Sequence, residues 1–106
     1  MNLDIATLNG QLNEDLRQYV EQRLRAGLLR FEHGITRAAV SFSDLSGPYG
    51  AEQQCFLVLS LTRSGEVSIE RRGASVRLAL GRAVETAIRE LQRRFEAMAD
   101  SQRRAK

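Results

Sequence analysis

Arg89, Arg93 and Arg94 stand among apolar residues in the stretch AIRELQRRF, residues 87–95. Arginine carries a permanent charge on a planar fork of donors that matches phosphate oxygens, so the chemistry on offer is anion binding. On a helix advancing about 100° per residue, Arg82, Arg89 and Arg93 share one side and Arg94 lies on a flank. Val84, Ile88, Leu91 and Phe95 fall opposite them. Glu85 and Glu90 precede Arg89 and Arg94 by four residues, a spacing at which each pair can neutralise itself. Arg89 and Arg93 repel at that same spacing. Residue physics alone leaves two readings open, a solvated self-neutralising face and a surface that holds phosphate.

Little else in the chain could do chemistry. It has one cysteine, Cys55, and one histidine, His33. Cys55 opens an apolar run and reads as a small core residue, while His33 follows a helix end and reads as exposed. A lone cysteine forms neither an internal disulfide nor a zinc site. Neither a nucleophile–base constellation, a carboxylate pair nor a glycine-rich phosphate loop is present in the sequence. No catalytic residue, metal, cofactor or small-molecule substrate is therefore expected, and the protein reads as a non-enzyme.

The charge is unevenly placed. The net charge is +3 over 106 residues. Residues 1–53 hold five Arg against seven acidic residues, whereas residues 54–106 hold ten Arg and one Lys against six. The span from Arg71 to Arg94 holds seven arginines, Arg71, Arg72, Arg77, Arg82, Arg89, Arg93 and Arg94, against Glu85 and Glu90. Such crowding points to a polyanionic partner. The two Tyr and four Phe fall mostly at core positions. Recognition of folded RNA by backbone and shape is thus expected ahead of stacking on single strands.

The elements that must position these residues follow from periodicity. MNLDIAT alternates as a short strand. Asn13 is a candidate N-cap, with Glu14 and Asp15 in the first turn of a helix running to about Phe31. Leu16, Val20, Leu24 and Leu28 form its apolar stripe, Gly27 interrupts it, and Gly34 is a candidate residue just past its end. ITRAAVSFSD is a second strand, LSGPYGAEQ a loop, QCFLVLSLT a third strand, RSG a hairpin turn and EVSIER a fourth strand. Ser75 can cap a last helix from about Val76 to Ala99, with Leu80, Val84, Ala87, Ile88, Leu91, Phe95 and Met98 in one stripe. The order is β-α-β-β-β-α. The expected fold is an α/β two-layer sandwich, a four-stranded, mostly antiparallel sheet with both helices on one face. Residues 1–100 read as a single domain and 101–106 as a polar, disordered tail. No apolar run is long enough for a membrane span and the N-terminus is unlike a signal peptide, so the expected location is cytoplasmic, with no membrane partner.

The order of these motifs resembles the ribosome hibernation-promoting factor and ribosome-associated inhibitor A family. MNLDIAT with LNEDLRQYVEQRL is similar to its opening strand and helix, and FEHGITRAAVSF to its helix-to-strand passage. GEVSIERRGASVRLALGRAVETAIRELQRRF resembles its last hairpin and helix, and SDLSGPYGAEQQC a glycine–proline loop of one branch. The resemblance covers nearly the whole chain. It implies a short-form bacterial factor that binds ribosomal RNA of the small ribosomal subunit, in the channel used by messenger and transfer RNA. Such a factor represses translation under stress. The matching basic positions are Arg17 and Arg23 on the first helix and Arg89, Arg93 and Arg94 on the last, beside Arg71, Arg72, Arg77 and Arg82. The family usually opens its last helix with Asp-Met-Tyr followed by an Asp. SVRLALG stands there instead, with Arg77 and Gly81 at the matching places.

A different class of function rests on the far side of the sheet. Ala39, Phe56 and Val58 alternate away from the core, and two helices on one face cannot cover them. A protein-interaction module forming a weak homodimer through this open face is the alternative expectation.

Overall fold

In the computed structural model, which describes residues 1–7, 12–63 and 65–104 and no side chain of 98 or 100–104, the expected order is observed. It runs β1 (Asn2–Thr7), α1 (Glu14–Leu28), a 3-10 segment (Leu29–Gly34), β2 (Ile35–Asp44), β3 (Gln53–Leu61), β4 (Glu66–Gly73) and α2 (Val76–Arg104). The strands lie side by side as β1-β2-β3-β4. β1 pairs with β2 in parallel, and the other two pairs are antiparallel. The fold is the two-layer α/β sandwich expected from the pattern. Residues 8–11, Ser64 of the RSG stretch, the Met98 side chain and residues 105–106 fall outside the described residues.

Alternation along the strands decides which sheet face is covered. Ala38, Val40 and Phe42 of β2, Cys55, Leu57 and Leu59 of β3, and Val67 and Ile69 of β4 are buried on one face. Val20, Leu24 and Leu28 of α1 meet them together with Leu80, Val84, Ala87 and Leu91 of α2. Ala79 and Ala83 join the buried stripe, and their small side chains let α2 lie close to the sheet.

Both expected caps form. Leu16 N–H donates to Asn13 Oδ1 at 2.8 Å, and Leu78 N–H donates to Ser75 Oγ at 3.1 Å. Two boundaries differ from expectation. α1 ends at Leu28 and tightens into the 3-10 segment, and α2 continues five residues beyond Ala99. Gly34 is also placed for a different reason from the one expected. It does not adopt the positive φ of a helix-ending glycine. A β-carbon there would stand 2.4 Å from Phe95 Cζ, so glycine lets the Phe95 ring close down on the chain. That ring packs edge-on against Phe31, with centroids 5.3 Å apart. Gly27 serves similarly, since a β-carbon on it would stand 2.6 Å from Val84 Cγ1. These two close approaches fix α1 and its 3-10 extension along one flank of α2.

Candidate nucleic-acid interface

The arginines fall into sets that α2 holds apart. Contacts through Arg77, Val84 and Phe95 place α1 on one flank of α2. The edge strand β4 lies on the other, where Arg82 Nη1 donates to the Arg72 carbonyl at 2.7 Å. Thr86 extends this seam, accepting from Arg71 Nη1 at 2.7 Å and donating to the Arg82 carbonyl at 2.9 Å. Arg71, Arg72 and Arg82 are thus brought together where β4 leads into α2. Arg89 and Arg93 share the side of α2 from which Arg82 departs, about two and three turns further along, and both are exposed.

Neutralisation along α2 differs from the spacing-based expectation. Glu90, whose side chain is only 25 % exposed, takes both neighbouring arginines. Arg93 Nη2 donates to its two oxygens at 2.7 Å, and Arg94 Nε donates to Oε1 at 3.0 Å. Hydrogen bonds from Arg94 and Arg93 hold the Glu90 carboxyl below its ordinary pKa. The Glu85–Arg89 pair is not formed. Among the described residues Arg89 has no ion pair or side-chain hydrogen bond, which leaves its donors to solvent. The triplet Glu90, Arg93 and Arg94 presents one net positive charge and Arg89 presents a whole one.

On the α1 side the basic residues are more involved in packing. The Arg77 guanidinium lies over the Tyr19 ring, 4.2 Å from its centroid. Arg23 is half-buried and lies against Gly27, its Nη1 3.0 Å from where a β-carbon would stand. Arg17 is exposed, and Glu21 pairs with Arg25 at 3.3 Å instead of with Arg17. Arg17, Arg23 and Arg77 therefore do not join the β4-side set.

The β2–β3 loop adds residues that composition alone did not single out. Arg72 reaches Glu52 of this loop at 3.7 Å. Leu45, Tyr49, Glu52, Arg72 and Arg82 line a concavity of about 540 Å³ between the loop and the start of α2. The proline and glycines of this segment marked it as a loop, but only the fold shows that it faces Arg72 and Arg82.

Cys55 is fully buried in β3, and burial pushes its thiol up to about 12. His33 is exposed and stands 3.8 Å from Glu32. The two therefore sit in opposite environments. On the open sheet face, Ala39 faces Val58 across the β2–β3 ladder, and Phe56 is 41 % exposed between Ser41 and Glu70. An Asp4–Arg37 ion pair and a Gln54–Glu70 hydrogen bond flank these residues. The apolar residues of this face are thus interrupted by charged and polar groups. Among the described residues, no helix is long and apolar enough to cross a membrane.

No protein-family model matches the sequence. No curated protein matches it either. Solved structures do. The N-terminal domain of Protein Y from Thermus thermophilus is 26 % identical, with a TM-score of 0.72 over 88 % of this chain and 98 % of that one. A ribosomal subunit interface protein from Coxiella burnetii is 12 % identical, with a TM-score of 0.73 over 92 % of this chain and 99 % of that one.

Proposed function

We propose, from the premise that this chain is a member of the ribosome hibernation-promoting factor and ribosome-associated inhibitor A family, that it is a non-catalytic ribosome-associated factor. In this reading it binds ribosomal RNA of the small subunit through its arginines and represses translation under stress. The observation that carries the reading is the exposed arginine set along β4 and α2, in which Arg89 has no partner among the described residues, on a fold shared with a protein described as a ribosomal subunit interface protein. Arginines held by backbone and hydroxyl contacts, as Arg71 and Arg82 are, keep most of their donors for phosphate oxygens without needing to be ordered on binding.

Binding of this kind is dominated by counterion release. Co-sedimentation with purified small subunits should fall steeply as salt rises from about 50 mM to about 200 mM. Added protein should lower the yield of a cell-free translation reaction in the same range of concentration that saturates the subunits. Pelleting that is indifferent to salt, or saturation without any effect on translation, contradicts the reading.

Weak self-association through Ala39, Phe56 and Val58 is the second reading, and the exposure of Phe56 is its support. The flanking Asp4–Arg37 and Gln54–Glu70 contacts weigh against it. Sedimentation over a concentration series decides: a monomer throughout removes this reading.

A further inference from the structure

The concavity between the β2–β3 loop and the start of α2 has the makings of a nucleotide site. Its loop wall is built by internal hydrogen bonds. Leu45 N–H donates to the Glu52 carbonyl at 2.8 Å, and Gly47 and Gly50 exchange backbone hydrogen bonds at 3.1 Å in both directions. Ser46 N–H donates to Asp44 Oδ1 at 2.9 Å and Glu52 N–H to Ser46 Oγ at 3.0 Å. The result is a tight turn with Pro48 and Tyr49 at its tip. Pro48 fixes its own φ, and Gly50 takes φ +127°, which side-chain-bearing residues rarely adopt. The turn holds Tyr49 fully exposed at the rim of the concavity.

The opposite wall is cationic. Arg82 is anchored by one of its five donors on the Arg72 carbonyl, which leaves four. Among the described residues the Arg72 side chain has only the long 3.7 Å approach to Glu52, which a phosphate can displace. A flat, wet aromatic ring beside two permanent cations matches a base beside its phosphate. The site is open, and no polar or charged side chain is fully buried in it to enclose a free small molecule. A strand already held by the arginines of α2 supplies the high local concentration that such an open site needs.

We infer that this concavity takes one unpaired nucleotide of a bound RNA strand, with its base stacked on Tyr49 and its phosphate between Arg72 and Arg82. The inference rests on the ribosomal RNA reading above and names a contact within it. Glu52 acts here as a competitor for Arg72, which the incoming phosphate replaces.

The test uses the full chain and a fluorescein-labelled oligoadenylate strand, followed by anisotropy, beside a hairpin duplex of RNA. Tyr49 is fully exposed, so its replacement should leave folding intact. Tyr49→Ala should weaken single-strand binding roughly five- to a hundredfold, the scale of one lost stacked base. It should weaken hairpin binding less, and Tyr49→Phe should restore the single-strand value. Arg72→Ala should also weaken the single strand, and Glu52→Gln should tighten it. Equal loss for single strand and hairpin, or none for either, overturns the inference. So does binding of adenosine monophosphate as tight as that of the strand, or displacement of the strand by polyglutamate as readily as by unlabelled RNA. Parallel pelleting with small subunits separates the two levels. If the native chain pellets while the Tyr49 variants leave strand binding unchanged, only the nucleotide site is wrong. If the native chain fails to pellet at low salt, the ribosomal reading itself fails.

Discussion

The Arg77 guanidinium stands 4.2 Å above the centre of the Tyr19 ring, so the first turn of α2 is clasped to α1 by a cation–π contact. In the family that the sequence resembles, a tyrosine usually stands at the place of Arg77. In this chain the aromatic ring comes from α1 and the charge from α2. The exchange gives Arg77 a packing role in addition to its charge. A double-mutant cycle on Tyr19→Leu and Arg77→Ala should show a coupling of about 0.5–1 kcal/mol in urea unfolding. Strictly additive losses would mean that the two side chains only happen to be neighbours.

Glu90 governs how much of the α2 charge is available. Glu90→Gln releases Arg93 and Arg94 and should strengthen binding to small subunits at low salt, with a steeper salt dependence. It should also remove a pH-dependent part of the stability. The folded pKa of Glu90 lies below its ordinary 4.5 because Arg94 and Arg93 donate to the carboxylate. That contribution is complete above pH 4.5 and is lost as pH falls through the lower folded value. Unfolding curves of the native chain and Glu90→Gln should therefore differ at neutral pH and converge in acid. A difference that stays constant with pH would assign the effect to something other than the ion pairs.

Two glycines should respond to alanine in opposite senses. A β-carbon on Gly81 meets nothing within 4 Å, so Gly81→Ala should stabilise α2 by about 0.5–1 kcal/mol through helix propensity. A β-carbon on Gly34 would stand 2.4 Å from Phe95 Cζ, so Gly34→Ala should cost about 1–3 kcal/mol by forcing the ring off Phe31. Thermal melts should move by several degrees in each direction, since about 1 kcal/mol shifts a domain of this size by about 4–8 °C. A loss of stability in Gly81→Ala would show that the space above Gly81 is used.

Much of the fold was legible because periodicity and capping act locally. The strand alternation of ITRAAVSF and QCFLVLSL, the Asn13 and Ser75 caps and the α2 stripe each depend on residues close in sequence. The role of Gly34 was not legible, because its reason is Phe95, sixty-one residues away. The site divides along the same line. The helical wheel correctly set Arg82, Arg89 and Arg93 apart from the apolar stripe. Spacing allowed both a Glu85–Arg89 and a Glu90–Arg94 pair, and only three-dimensional placement gave Glu90 both Arg93 and Arg94 and left Arg89 without a partner among the described residues. Periodicity and turn residues place Tyr49 in a loop, and only the fold brings it to one concavity with Arg72 and Arg82.

The central claim is that exposed arginines on α2 hold ribosomal RNA, and Arg89 is the most direct point at which to test it. The decisive measurement is co-sedimentation of Arg89→Glu and Arg93→Glu with small ribosomal subunits at low salt, beside the native chain. Arg89 is exposed and has no ion pair among the described residues, whereas Arg93 already shares Glu90. Arg89→Glu should therefore lose most of the pelleted protein, and Arg93→Glu should lose less. Undiminished pelleting of Arg89→Glu would contradict the account.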